Sequence, residues 1–265
     1  MKTSLVIFFK RVLPFPLRIQ LRKLNWRRRY LTEAMLHPAK APVYCPIAEK
    51  EYKCFIPERH DIWPSQISPE NGARSRHRLI WLYLKRETGI FKDKCSLLHI
   101  APEHCYFQKL KDLKNLDYMP GDKMVDGYGK QSGVAYMDLL DLKIKDGTID
   151  YLLCNQVLEH IPDDRKAISE IYRVLKPGAT AIITVPIDEN IKETYEDFSI
   201  TAPAEREKHF GQWDHVRWYS TDVKDRFEEA GFSVDLVRYG KQFSAEDYVR
   251  FGLCDDLLII AKKNK

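Results

Sequence analysis

The side chains best equipped for chemistry crowd into one stretch, Asp188 to Trp218, about thirty residues without strong periodicity that carry Glu196, Asp197, Arg206, Lys208, Asp214, His215 and Arg217. An imidazole with an ordinary pKa near 6.5 offers a neutral base at pH 7, and a neighbouring carboxylate can raise its basicity. Asp214 and His215 are therefore candidates for a proton-handling pair that serves an oxygen or nitrogen nucleophile. Side chains one residue apart on a strand face opposite ways, so the pair requires a turn. The other role open to His215 is a hydrogen bond that holds the segment shut, with Tyr195 and His160 as further candidates for the base. Long irregular inserts in compact domains are functional or disordered, and three aromatics between Phe210 and Trp218 favour order. Residues 188–218 thus read as a lid over an acceptor.

Such groups need a rigid frame, and the frame is legible around Tyr151–Gly178. Asp150 to Cys154 is a short apolar run after the turn-like Lys145-Asp146-Gly147, as expected of a central parallel strand covered on both faces. From Asp163, an N-cap candidate, Ala167, Ile168, Ile171, Val174 and Leu175 recur at helical spacing, and Pro177-Gly178 is expected to stop the helix. A second apolar run, Ala179 to Val185, completes a βαβ unit, whose ligands lie beyond the carboxyl ends of its strands. Upstream, Leu79, Ile80, Leu82, Tyr83 and Leu84 form a helical face ended by Thr88-Gly89, and Cys95 to Ala101 reads as the first sheet strand. Asp117 stands 18 residues after His99, near the gap of about 20 at which nucleotide-binding α/β folds place a ribose-binding acid. Tyr118, Met119, Pro120 and Gly121 would then sandwich a base, and Asp122 is the competitor if the strand runs longer. Ser220-Thr221-Asp222 caps a helix ending at Gly231, and Phe232–Tyr239 pairs antiparallel with Leu257–Ala261. The fold class is α/β, a doubly wound Rossmann-like sheet of seven strands.

Cys154-Asn-Gln-Val-Leu-Glu-His160 followed by Arg173-Val-Leu-Lys-Pro-Gly178 resembles the class I S-adenosylmethionine-dependent methyltransferases. Leu97-Leu-His-Ile-Ala-Pro-Glu103, Thr194-Tyr-Glu-Asp197, Phe210–Arg217 and Ala230-Gly-Phe232 extend the resemblance to a bacterial type 11-like subgroup, over roughly residues 45–262. It implies S-adenosylmethionine as cofactor and methyl transfer as activity, and leaves the acceptor open. It also implies a cofactor turn at His99-Ile-Ala-Pro-Glu103, with Ala101 and Glu103 where the family usually has glycines. There Ala101 keeps a small side chain, Pro102 fixes the bend and Glu103 meets the cofactor's ammonium. By the same resemblance Asp138 meets the adenine amino group, the Leu139 amide a ring nitrogen, and Asn155 and Gln156 the cofactor edge. Arg76, His77 and Arg78 are either near a ligand or solvent-exposed cations. Relatives in the subgroup often carry two Cys-Pro-x-Cys knuckles; here Cys45-Pro-Ile-Ala48 keeps one candidate ligand and Ser68-Pro-Glu-Asn71 keeps none. No zinc ribbon can be built from these positions, so no metal is expected, and Cys45, Cys54 and His60 lack knuckle spacing.

Composition bounds the rest. A chain of 265 residues with 44% hydrophobic and 31% charged content supports one main globular domain. The expected division is a basic extension at 1–40, a loop-rich degenerate ribbon at 41–73 and a methyltransferase-like domain at 74–265. Residues 1–30 hold nine Lys/Arg and no Asp/Glu, so the other 235 carry −4 of a total of +5. That local basicity argues against nucleic acid. The run Ser4–Phe9 is too short for a signal peptide, and no segment reaches the roughly 20 apolar residues of a membrane span. Leu17, Leu21, Leu24 and Trp26 alternate with cations in a helical pattern, which is either packed on the domain or laid on an anionic membrane. Six cysteines without framework spacing point to free thiols in a reducing, cytoplasmic setting. A polar small molecule or glycan is the expected acceptor. The competing readings are a non-catalytic cofactor-binding module and an NAD-dependent oxidoreductase, the latter disfavoured because the first turn lacks the three glycines that accommodate a pyrophosphate.

Overall fold

The computed structural model describes residues 15–37, 41–58, 65–124 and 131–265, so His60 lies outside the described residues. Helix α1 (Phe15–Leu36) leads into two antiparallel hairpins, β1 (Val43–Cys45) with β2 (Lys50–Tyr52) and β3 (Ile56–Glu58) with β4 (Ser65–Ile67). These hairpins fill the stretch expected to be a loop-rich ribbon. It is clasped by Arg78, on α2 (Ser75–Glu87), which is fully buried. Its guanidinium donates to the carbonyls of Ala73 (2.7 Å), Phe251 (2.6 Å) and Gly252 (2.7 Å) and lies 3.9 Å from the Phe55 ring centroid. One arginine thus donates to carbonyls of two segments far apart in the chain, the end of the ribbon stretch and Phe251-Gly252.

The apolar runs form the central sheet: β5 (Cys95–Ile100), β6 (Leu116–Asp122), β7 (Ala135–Tyr136), β8 (Ile149–Asn155) and β9 (Leu175–Thr184), with α3 (His104–Leu110) after β5 and α4 (Asp164–Val174) between β8 and β9. After the lid elements β10 (Tyr195–Glu196), α5 (Pro203–Phe210) and β11 (Arg217–Trp218) come α6 (Val223–Glu229), β12 (Phe232–Val237), α7 (Ala245–Phe251) and β13 (Leu258–Lys263). The sheet order is β12-β13-β9-β8-β5-β6-β7, parallel except for β13. All of β5 is buried, and alternate residues feed two cores. Leu97, Leu153 and Ile182 pack toward α2, while Leu98, Leu152 and Ile183 pack toward α4 and α6. That two-faced burial is why the central strands read as unbroken apolar runs. The chain order reverses between β5 and β8, which opens a crevice at their carboxyl ends.

Asp163 caps α4 as expected, its carboxylate accepting from the Lys166 amide at 3.0 Å. Pro177-Gly178 does not stop the helix. The helix ends at Val174 and β9 starts at Leu175, with the Pro-Gly pair inside the strand where its register to β8 shifts. The lid is ordered, and it carries regular structure that its lack of periodicity did not show, since β10 pairs with β11 around the eight-residue α5.

Candidate active site

Two non-glycine residues adopt left-handed backbone at the carboxyl ends of the strands that flank the crevice, Ala101 (φ 50°) after β5 and Gln156 (φ 54°) after β8. Such conformations cost of order 1–3 kcal/mol and persist where surrounding structure fixes them. Here the Ala101 amide donates to the Gly121 carbonyl and the Gln156 amide to the Thr184 carbonyl, both at 2.7 Å. Ala101 therefore does what a glycine would do in the turn.

Glu103 follows directly. One carboxylate oxygen accepts from His99 Nε2 at 2.9 Å and the other from Asn155 Nδ2 at 3.1 Å. The Asn155 amide is oriented by Thr184, whose hydroxyl donates to its oxygen at 3.2 Å. His99 Nδ1 lies 2.8 Å from the Tyr118 hydroxyl, so with Nε2 donating to Glu103 the ring links Tyr118 to Glu103 in one hydrogen-bond chain. Burial pushes the Glu103 pKa up, but the hydrogen bond from His99 and the favourable electrostatics of the His99 and His77 rings outweigh it and leave it below the ordinary carboxylate value. His77 stands 4.0 Å away, its pKa lowered by burial to about 3, and so neutral. The site thus presents an anionic carboxylate at the crevice. Of the three basic residues of doubtful role, His77 stands by Glu103 and Arg76 lines the neighbouring cavity, whereas Arg78 is the buried clasp.

The structure corrects the ribose residue. Asp117 is exposed at the amino end of β6, in register with Ser96, whereas the ligand edge is the carboxyl end, where Gly121 pairs with Ile100. Five residues at about 3.3 Å each separate it from Asp122, which ends the strand at the correct edge. The 18-residue gap misled because the strand begins near Asp117 and does not end there. A second correction concerns the base sandwich. Tyr118 packs on the α2 side with His99 and Met119 on the opposite face, so the two cannot enclose one ring. Gly121 is needed for close packing, since a Cβ there would lie 2.1 Å from Met137 Sδ. Asp138 lies past β7, its carboxylate accepting from the Leu140 amide at 3.0 Å and pairing with Lys123 at 2.8 Å, next to buried Leu139.

Beside Gln156 a cavity of about 870 Å³ opens, lined among others by Arg74, Arg76, Glu159, His160, His215 and Asp256. The turn that Asp214 and His215 require is present, with the His215 amide donating to the Gln212 carbonyl at 3.2 Å. The Asp214 carboxylate stands 3.5 Å from His160 Nδ1, and His215 Nδ1 is 3.1 Å from the Phe210 carbonyl. The two imidazoles meet edge to face at 4.7 Å. Burial and the neighbouring His160 lower the His215 pKa to about 4, which keeps the ring neutral at pH 7.

Two lid residues counted as ligand groups, Glu196 and Arg217, are structural instead. Arg217, 1% exposed, donates to Glu196 (2.8 Å) and to the carbonyls of Leu158 (3.0 Å) and Pro162 (2.7 Å). Arg226 joins Glu196 (3.2 Å) to buried Asp164 (2.8 Å), which also accepts from Tyr219 at 2.6 Å. This network locks β11 to the turn after β8. Glu159, missed as a site residue, is 1% exposed with neither carboxylate oxygen hydrogen-bonded. Its position after Leu158 in a short 3-10 turn, invisible to helical or strand periodicity, is what hid it.

With this geometry in place, residues 105–183 match the family model described as a methyltransferase domain. The chain is 40% identical over 58 residues to phosphoethanolamine N-methyltransferase 2 of Caenorhabditis elegans, a stretch covering 21% of this chain and 13% of that protein. It is 39% identical over 59 residues to norajmaline N-methyltransferase of Rauvolfia serpentina, covering 22% and 20%. The matched stretch thus spans a fifth or less of the length of these two curated relatives. Among solved structures, an S-adenosylmethionine-dependent methyltransferase from Mesorhizobium loti superposes with a TM-score of 0.48 at 13% identity, over 70% of this chain and 98% of that one.

Proposed function

We propose that the protein is an S-adenosylmethionine-dependent methyltransferase that methylates oxygen or nitrogen on a polar small molecule or glycan. The observation that carries this reading is the anionic Glu103, held by His99 and Asn155 at the crevice beside left-handed Ala101, with Asp122 and Asp138 along the same sheet edge. The match of residues 105–183 to a methyltransferase domain supports it. S-adenosylmethionine supplies a methyl group on a sulfonium, which leaves by in-line displacement without help for its neutral leaving group. The chain must therefore bind, position and remove a proton. Glu103 would hold the ammonium with Pro102 fixing the bend, Asp122 the ribose hydroxyls, and Asp138 with the Leu139 amide the adenine.

Gln156 borders the acceptor cavity, whose charged lining favours a polar acceptor over a lipid tail. His215, neutral and at that cavity, is the proposed proton acceptor, with Asp214 beside His160 as its electrostatic support. A non-catalytic module would not require this buried, polar arrangement. Calorimetric titration with S-adenosylmethionine and its demethylated product tests the cofactor assignment. Micromolar or tighter binding of both is expected, and absence of both rejects it.

We further propose that the basic helix contacts an anionic membrane surface. The face of α1 that packs on the ribbon stretch is built from Trp26 and Tyr30, and Ile19 is buried beside His104 and Phe107, so the leucines are not what docks the helix. Leu21 (47%), Leu24 (63%), Leu31 (55%) and Met35 (82%) stay exposed beside Arg22, Arg27 and Arg28, the arrangement of an interfacial helix. Among the described residues no helix is long and apolar enough to cross a membrane.

A further inference from the structure

Glu159, His160 and His215 come from two separate segments, and one ligand atom of each lies within 4.8 Å of the others. Two imidazoles and a carboxylate meeting at a cavity wall are a donor set suited to first-row transition metals, not to the all-oxygen shells of magnesium or calcium. The surroundings point the same way. A buried carboxylate with no hydrogen bond is costly, and both oxygens of Glu159, which is 1% exposed and lines the cavity, are in that position. Each imidazole already has a partner for its Nδ1 proton. His215 Nδ1 faces the Phe210 carbonyl at 3.1 Å, and His160 Nδ1 faces the Asp214 carbonyl at 3.3 Å and its carboxylate at 3.5 Å. An outer contact of this kind on one ring nitrogen fixes the tautomer that presents the other as a metal ligand.

The backbone supports the arrangement as well, because the Val216 amide donates to the Glu159 carbonyl at 2.9 Å and ties the lid strand to the turn that carries the other two groups. Arg76 adds a like charge to the cavity, but it pairs with Asp256 at 3.6 Å, and Asp214 and Asp255 also stand nearby. Side-chain rotation would need to bring the three donors to the roughly 3 Å spacing of groups that share one ion with bonds of about 2.0–2.2 Å.

We propose that Glu159, His160 and His215 bind one divalent first-row transition-metal ion in the wall of the acceptor cavity. An acceptor hydroxyl coordinated there would lose its proton more readily, the ion acting as Lewis acid. In the loaded protein His215 is then a ligand, and the base role given to it above belongs to the metal-free protein. The site is distinct from the degenerate ribbon, whose missing thiolates motivated the expectation of no metal.

The test uses the full chain, stripped with chelator and titrated with Co2+, read by visible ligand-field absorption and by metal content after desalting. One Co2+ per chain is expected, with bands that Glu159→Gln and His160→Gln each weaken, lowering affinity at least tenfold, and that Asp214→Asn lowers about 10–100-fold. Circular dichroism and binding of S-adenosylmethionine check that each variant is folded. Glu159→Gln keeps the shape of the side chain, so it remains informative if His160→Gln unfolds. Failure to bind Co2+ stoichiometrically, or binding indifferent to Glu159→Gln, overturns the metal site and leaves the methyltransferase reading standing on its own titration.

Discussion

At the scale of single residues the account rests on backbone and hydrogen bonds that composition alone does not reveal. Ala101 was recognisable as a glycine substitute from its place in Leu97–Glu103, and it does adopt the left-handed conformation. The partners of Glu103 were not recognisable, because His99 and Asn155 reach it from two different strands. His215 allows a direct test. In metal-free protein with an acceptor at hand, His215→Gln should lower turnover about 10²–10⁴-fold with cofactor affinity intact, as for loss of a general base. If acceptor binding weakens while turnover at saturation stays near wild type, the imidazole is only a strut that holds the lid through the Phe210 carbonyl.

At the scale of elements, the periodic segments were legible and the tertiary clasps were not. Asp163 as cap, the apolar face of α4 and the β12–β13 pair follow from spacing. The start of β6 and the short α7 carried no such signal, and for β6 the acid at position 117 mimicked a strand end. Arg78→Ala removes the donor shared by three buried carbonyls. It should cost about 3 kcal/mol or more, or roughly 6–12 °C in melting temperature. Retention of the wild-type melting temperature would mean that the hairpins are held otherwise. A second clasp makes stability depend on pH. Glu170 accepts from the Leu142 amide (2.9 Å) and from Arg173 (2.8 Å), which itself donates to the carbonyls of Leu142 and Ile144 (both 2.8 Å). The Arg173 hydrogen bonds lower the Glu170 pKa from 4.5 to about 2. A depressed carboxylate stabilises the fold above its unfolded value, and that contribution is lost as the pH falls from about 4.5 toward 2. Glu170→Gln should therefore cost about 1–3 kcal/mol at pH 7 and little at pH 2, as measured by denaturant unfolding. Equal cost at both pH values would remove the ionic part of the explanation.

At the scale of the whole molecule, sheet order decides which edge can hold a ligand, and the basic helix decides what the outer surface can meet. If α1 lies on anionic lipid, the intact chain should co-sediment with vesicles containing phosphatidylserine but not with neutral ones. Leu21→Glu with Leu24→Glu should abolish that binding, and equal sedimentation by wild type and variant would reject it. The topology itself was legible as a class of fold from its apolar runs, yet the register within β6 was not, because nothing in a strand's composition marks which end faces the crevice. The register now separates two acids five positions apart on one strand, Asp117 at the amino edge and Asp122 at the carboxyl edge. Calorimetric titration of S-adenosylmethionine against Asp122→Ala and Asp117→Ala is the most direct test of the account. Asp122→Ala should lose about 2–3 kcal/mol of binding, the worth of hydrogen bonds to a charged group, while Asp117→Ala binds as wild type. Unchanged binding in Asp122→Ala, or a loss confined to Asp117→Ala, would contradict the placement of the cofactor at this edge of the sheet.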